Sequence, residues 1–362
     1  HDVTNFDDSQ VISDGAMNLF SKDPMGLFTA PEAARYRVSV RDLDRGNTLG
    51  SQKRFIVRIG PPEPTFELVA YRPHAHSDLN QSQPAGTRLF RGGTEIIRLL
   101  VMRKDGWTGP IKVRCEDLPE GVSAPEITIA ANQNVAQIAL TASENAIAAS
   151  SPFRLIGRDK DGTIEKQAYA TVVQWGKGNG RDYIQTRQTD TLWVTVSDLD
   201  EIPLAVSFGN DTVVDVKKGE SIKIPVKLQR RDGGKAAVTA RARLFPPGIK
   251  AADLKIAAEN NEGEIEIKTE AAAATGTYSL WLQVETKIKI KPNPEAVQRA
   301  QSYRDHLGSL LEDPSQNPQQ DAIKAAASEA DKILEAAKSA SKDKELTVFL
   351  STNTATLRVI DP

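Results

Sequence analysis

Cysteine occurs once, at Cys115. No disulfide can therefore form within the chain, and its folded units must be held by buried apolar side chains. Histidine is scarce too. His1, His74, His76 and His306 are the four, and none stands in a Gly-x-Ser-x-Gly or His-Glu-x-x-His setting, which removes the common serine-nucleophile and zinc-peptidase readings. Charge of one sign is missing. Lys and Arg number 46 against 48 Asp and Glu, a net charge of −2, so nothing electrostatic favours nucleic acid or an anionic membrane as partner. No stretch reaches roughly 18 consecutive apolar residues, so no helix is expected to span a bilayer. Helical periodicity does not alternate with strands, which argues against βαβ architecture.

What the chain has in quantity is period-two alternation. Tyr36-Arg37-Val38-Ser39-Val40-Arg41, Thr191-Leu192-Trp193-Val194-Thr195-Val196 and Ile222-Lys223-Ile224-Pro225-Val226-Lys227-Leu228 alternate between apolar and polar. Clusters of Gly, Pro, Asn and Asp separate such runs, the pattern of an all-β sandwich. The length of 362 residues leaves room for about two to four domains. Cys115 falls in Ile111-Lys112-Val113-Arg114-Cys115 on the apolar side of the alternation, which predicts a small core residue and not a reactive thiol.

An internal repeat organises the middle and end of the chain. At an offset of 127 residues, Val101-Met102-Arg103-Lys104-Asp105-Gly106 falls on Leu228-Gln229-Arg230-Arg231-Asp232-Gly233. Without a gap, Leu118-Pro119-Glu120-Gly121-Val122 then falls on Phe245-Pro246-Pro247-Gly248-Ile249, and Gln137-Ile138-Ala139-Leu140 on Glu264-Ile265-Glu266-Ile267. Asp-Gly after an alternating run is a hairpin turn, because glycine accepts positive φ. Leu-Pro-x-Gly-Val is a bend, with proline fixing φ and glycine turning the chain.

These residues resemble the bacterial immunoglobulin-like modules of large secreted and surface proteins. The resemblance rests on the Arg-x-Asp-Gly hairpins at 103–106 and 230–233, the bend at 118–122 and the Gly-Thr-Tyr strand entry at 276–278. Gly26-Leu27-Phe28-Thr29-Ala30-Pro31-Glu32, the run from Ala34 to Asp42 and Arg54-Phe55-Ile56-Val57-Arg58-Ile59-Gly60 resemble the C-terminal half of a pre-peptidase-C-type β-sandwich. That resemblance implies a first half before His1. The expected organisation is a partial sandwich over 1–62, an Ig-like domain over 63–200 and a second over 201–362.

One segment leaves the β pattern. Asn293-Pro294-Glu295 and Asn317-Pro318 read as helix starts. Val297, Ala300, Tyr303, Leu307 and Leu310, then Ile323, Ala327, Ala330, Leu334 and Ala337, follow at helical spacing. The expectation is an αα-hairpin over 293–342, inserted in the last β-hairpin of the second domain. The expected fold class is mainly β: tandem Ig-like sandwiches with that hairpin inserted.

Candidate chemistry is thin. His74, His76 and Asp78 could together hold a divalent metal, but a polar loop explains them more simply. Asp42 with Asp44, and Asp198 with Asp200, end Val-x-Val-x-Asp strands and could hold calcium, though strand-end turns favour Asp anyway. Gly176-Lys177-Gly178-Asn179-Gly180-Arg181-Asp182 lacks the ending of a phosphate loop and reads as a hairpin loop. Trp107, whose repeat partner is Gly234, is expected to be exposed, with a sugar or protein contact set against local packing. Tyr303, Ala326 and Ala337 are the contact candidates on the helices. No catalytic residue and no cofactor are expected. The expected function is a non-enzymatic structural, adhesive or protein-interaction region of a secreted, periplasmic or cell-surface protein. Its partners would be other domains of the same polypeptide or another surface protein. The alternative is an accessory module that binds carbohydrate or positions a secreted hydrolase.

Overall fold

Two large hydrophobic cores organise the chain. One gathers Phe66, Leu68, Leu99, Ile111, Ile138, Phe153 and Val194, the other Leu204, Ile224, Val226, Ile265, Leu280, Val284 and Leu357. The computed structural model describes residues 9–13, 18–21, 25–39, 56–74, 76, 86–178, 181–189, 191–209, 213–290, 292–312 and 319–362. Asp42, Asp44, Asp78, the Asn179-Gly180 tip and Asn317-Pro318 lie outside these residues.

Strands β1 (Ser9–Ser13) and β2 (Asn18–Ser21) pair with each other. The first sandwich follows: β3 (Thr65–Tyr71), β4 (Thr87–Arg91), β5 (Thr94–Lys104), β6 (Ile111–Glu116), β7 (Val122–Ser123), β8 (Ile127–Ile129), β9 (Val135–Ala142), β10 (Ala149–Asp159), β11 (Glu165–Gln167), β12 (Tyr169–Gly178), β13 (Arg181–Thr189) and β14 (Leu192–Glu201). Its sheets run β4-β14-β10-β6-β8, with β11 beside β10, and β13-β12-β3-β5-β9-β7. The second sandwich comprises β15 (Leu204–Phe208), β16 (Val214–Lys217), β17 (Ser221–Arg230), β18 (Val238–Ala242), β19 (Ile249–Ala251), β20 (Leu254–Ile256), β21 (Glu262–Thr269), β22 (Gly276–Leu280) and β23 (Leu282–Ile290), then α1 (Pro294–Glu312) and α2 (Gln320–Ala340), and finally β24 (Lys344–Ser351) and β25 (Ala355–Ile360). Its sheets run β15-β17-β21-β19, β16-β25-β22 and β20-β18-β23-β24. The fold is thus mainly β, two tandem sandwiches with a helical hairpin in the second.

The two sandwiches share one plan. β10 pairs antiparallel with β14, which runs parallel to β4. In the second copy β22 pairs antiparallel with β25, which runs parallel to β16. Turn hydrogen bonds recur at the same offset: Val122 N donates to Pro119 O at 3.0 Å, and Ile249 N to Pro246 O at 3.1 Å. Glycine is required at both bends. Gly121 and Gly248 have φ of +81° and +80°, and an added Cβ would stand 2.6 Å from the Ala146 Cα and 2.9 Å from the Ala273 Cα.

The arginine of each Arg-x-Asp-Gly hairpin has a job of its own. Arg103 donates to the carbonyl oxygens of Gly109 (2.6 Å), Ala130 (2.8 Å) and Gln133 (3.0 Å) and to the Asn134 side chain (3.2 Å). Arg230 does the same for Ala236 (2.6 Å), Ala257 (3.2 Å), Asn260 (3.1 Å) and the Asn261 side chain (3.1 Å). Each acceptor is displaced by the repeat offset. A guanidinium presents donors in a fixed fork, so one side chain ties two loops to the sheet.

The copies differ in what is added. Between β11 and β14 the first sandwich carries the β12–β13 hairpin, with β12 parallel to β3. The second carries α1 and α2 between β23 and β24, which pair from Gln283↔Ser351 to Ile290↔Lys344. Ala300 and Leu307 of α1 and Ala330 and Leu334 of α2 are buried. Arg304 reaches across to Asp331 at 3.1 Å. Tyr303, placed by its spacing in the seam, points to solvent. Asn293 takes a positive φ of 50°, and its carbonyl oxygen accepts from Ala296 N at 3.0 Å.

Near the start, the outcome departs from the expected strands. Residues 25–39 and 56–60 form no strand ladder, and Tyr36, Val38, Ile56 and Ile59 are exposed. The alternation encodes a face to be buried, but an extended segment becomes a strand only when a neighbour completes its hydrogen bonds.

Candidate functional site at the joint between the sandwiches

β5 and its repeat counterpart β17 read differently. β17 alternates, with Lys223 and Lys227 exposed and Ile224, Val226 and Leu228 buried. Strand β5 is buried continuously from Ile96 to Val101. Ile97, Leu99 and Val101 face their own core, and Ile96 packs instead with Ala139 of β9 and Trp281 of the second sandwich. At the repeat offset Lys223 and Glu266 stand where Ile96 and Ala139 stand. The first sandwich has exchanged a solvated face for one that docks.

Polar groups set the orientation of this joint. Arg98, 6% exposed, donates to Gln137 Oε1 and, at 3.2 Å, to the Leu244 carbonyl. Gln137 in turn donates to the Ser279 carbonyl. Gln133 reaches the Thr277 carbonyl at 2.6 Å and Asn132 the Thr275 carbonyl at 2.8 Å. A third anchor is Arg231, which pairs with Glu144 and donates to the Ile202 carbonyl at 2.8 Å. Burial strengthens such bonds and makes their loss costly.

His74 belongs to this joint. Its Nδ1 lies 2.5 Å from the His76 carbonyl oxygen, so Nδ1–H donates there. Nη2 of Arg243, from the second sandwich, lies against the same imidazole, 2.9 Å from Nδ1 and 3.1 Å from Nε2. Burial first, and the charge of Arg241 second, draw the Arg243 guanidinium below its usual range. The His76 ring packs edge-on against Phe349 at 4.9 Å. The two imidazoles weighed as weak metal candidates are turned to the neighbouring sandwich, and among the described residues no three His, Cys, Asp or Glu come together.

Beside His74, Arg72 donates through Nε and Nη2 to the two oxygens of Glu95, both at 3.2 Å. Burial raises the Glu95 carboxyl above its ordinary range, opposed by the charge and hydrogen bonds of Arg72.

The remaining candidates are dispersed. Trp107 is half-buried on Phe66, with ring centroids 4.8 Å apart, and the Arg103 guanidinium lies 4.8 Å over its face. Its ring is thus committed to local packing rather than exposed. Asp198 and Asp200 fall within β14, which continues to Glu201, rather than in a turn after it. Ala326 and Ala337 are half-buried and Tyr303 is exposed. Cys115 pairs across to Leu155, and burial pushes its thiol up to about 12. The interface residues were missed from sequence, yet a signal existed: Ile96 and Ala139 replace Lys223 and Glu266 in otherwise matching strands.

Comparison of the chain with models of known protein families and with curated protein sequences gives no match.

Proposed function

We propose that this chain is a tandem of Ig-like modules serving as a non-enzymatic structural, adhesive or protein-interaction region of a secreted or cell-surface bacterial protein. The joint carries this reading. Its buried arginine and histidine, the side chains a catalytic site would draw on, are spent holding two sandwiches in one relative orientation. A spacer that presents a binding element needs that fixed orientation. Residual dipolar couplings measured separately over each sandwich test it. One alignment tensor for both supports a fixed arm, whereas two independent tensors remove the support.

A second reading, an accessory carbohydrate-binding module, rests on Trp193. This indole is 54% exposed on β14, opposite Pro152 of β10. Beside it the hydroxyls of Ser150 and Thr195 sit 3.0 Å apart. An open aromatic face next to hydroxyls suits a pyranose ring. Binding of the purified chain to a glycan array, lost in Trp193→Ala, would favour this reading over the first.

A further inference from the structure

At the joint lies a small pocket with room of about 20 Å³, lined from the first sandwich by Arg72, His74, Glu95 and Ile96 and from the second by Trp281, Gln283 and Leu350, among others. Trp281 is 3% exposed. Its Nε1–H is buried and has no hydrogen-bond acceptor among the described residues. An indole N–H is a donor only, and one held from both water and protein costs on the order of a hydrogen bond. Natural interiors rarely tolerate this where a polar cavity adjoins the group.

We infer that this cavity is a binding site for one water molecule, which accepts the Trp281 indole N–H and donates to the Glu95 carboxylate, wiring the second sandwich to the first. The volume suits it: one water needs roughly 10–15 Å³ of such space, so a single molecule fits and a second does not. The lining offers the two to four polar partners a buried water requires. Each Glu95 oxygen takes one bond from Arg72 and keeps a lone pair for a further donor. Charge excludes the other small occupants. An anion would meet the Glu95 carboxylate, and a metal cation would meet the Arg72 guanidinium, with Arg243 against His74 close behind. An apolar guest would leave the indole N–H unmatched. A neutral molecule that both accepts and donates is what remains.

The test uses the full chain, labelled with 15N at the indoles of its four tryptophans. The Trp281 Nε1–H resonance is assigned by its loss in Trp281→Phe, or, if that variant does not fold, by its shift in Glu95→Gln. A cross-peak from this proton to the water frequency, with the sign of a long-lived contact, is expected. In Glu95→Ala the water loses a holder, and the cross-peak should weaken or change sign as residence shortens. A crystal structure should show one density peak within hydrogen-bonding reach of both Trp281 Nε1 and the Glu95 carboxylate. The inference is overturned if the indole proton shows contacts to protein protons only. A crystal structure in which Nε1 donates directly to a protein acceptor, or in which no density joins the two groups, overturns it as well.

Discussion

Arg98 of the first sandwich donates to the carbonyl oxygen of Leu244 in the second at 3.2 Å, while the same Nη1 engages Gln137. One buried guanidinium thus secures its own strand neighbour and the adjoining module. Replacing it with alanine leaves Gln137 Oε1 and the Leu244 carbonyl without a donor. An orphaned buried group costs about 1–3 kcal/mol. Arg98→Ala should therefore lower the midpoint of chemical denaturation and separate the unfolding of the two sandwiches. A variant that still unfolds in one unshifted transition would show that the guanidinium does not hold the joint.

The two clamp arginines give a paired prediction. Arg103→Met and Arg230→Met each remove donors from two loops at once. Each should destabilise its own sandwich by about 1–3 kcal/mol. Lysine should not rescue either site, because a point charge cannot span a fork of carbonyls. Denaturation followed by tryptophan fluorescence checks both, with Trp107 reporting the first copy and Trp281 the second.

The helical hairpin should be removable. Ile290 and Lys344 are directly paired where β23 and β24 meet it, so a two-residue Asn-Gly turn in place of 291–343 closes the strands without strain. The shortened chain should fold and keep the far-ultraviolet signature of its strands while losing the helical one. Unfolding of the second sandwich in this deletion would show that α1 and α2 belong to its core.

Cys115 should be inert. A thiol pushed up to about 12 holds almost no thiolate at neutral pH, and the thiolate is the nucleophile. A disulfide reagent should label the native chain negligibly and the denatured chain stoichiometrically. Fast labelling of the native form would contradict the burial on which this rests.

The pH dependence of stability follows from Glu95. Burial raises its carboxyl above the ordinary 4.5, so in the window just above that value the folded chain keeps a proton that the unfolded chain has released. Stability from this group is fully present below 4.5 and is lost as pH rises through the folded value. Asp215 runs the other way. The hydrogen bond from Arg358 holds it below 3.8, so its contribution is lost only as pH falls through that lower value. Denaturation midpoints across mildly acidic to neutral pH should decline less in Glu95→Gln than in the native chain. His74 lines the same cavity as Glu95, so His74→Gln serves as the control.

Much of the architecture is local in origin, which is why the sequence by itself determined it. Alternation sets the strands, since side chains on a strand point to opposite faces in turn. Gly121 and Gly248 mark bends that no other residue can make without meeting Ala146 or Ala273. The offset of 127 appears in residues and hydrogen bonds alike, because equal turns close equal loops. Helix starts and spacing placed α1 and α2, although Tyr303 turned out of the seam and Arg304 took up the contact with Asp331.

What only the tertiary structure decided is where faces meet. Ile96, Arg98 and Ala139 lie on the side of β5 and β9 turned away from their own core, and nothing within that sandwich says what covers them. The partner surface, with Leu244, Ser279 and Trp281, comes from residues more than a hundred positions away. For the same reason His74 reads as a loop histidine in the sequence and becomes an anchor in the fold. Its neighbour Arg243 stands 169 residues on, and long-range pairing of that kind depends on how two finished sandwiches pack, not on any pattern along the chain.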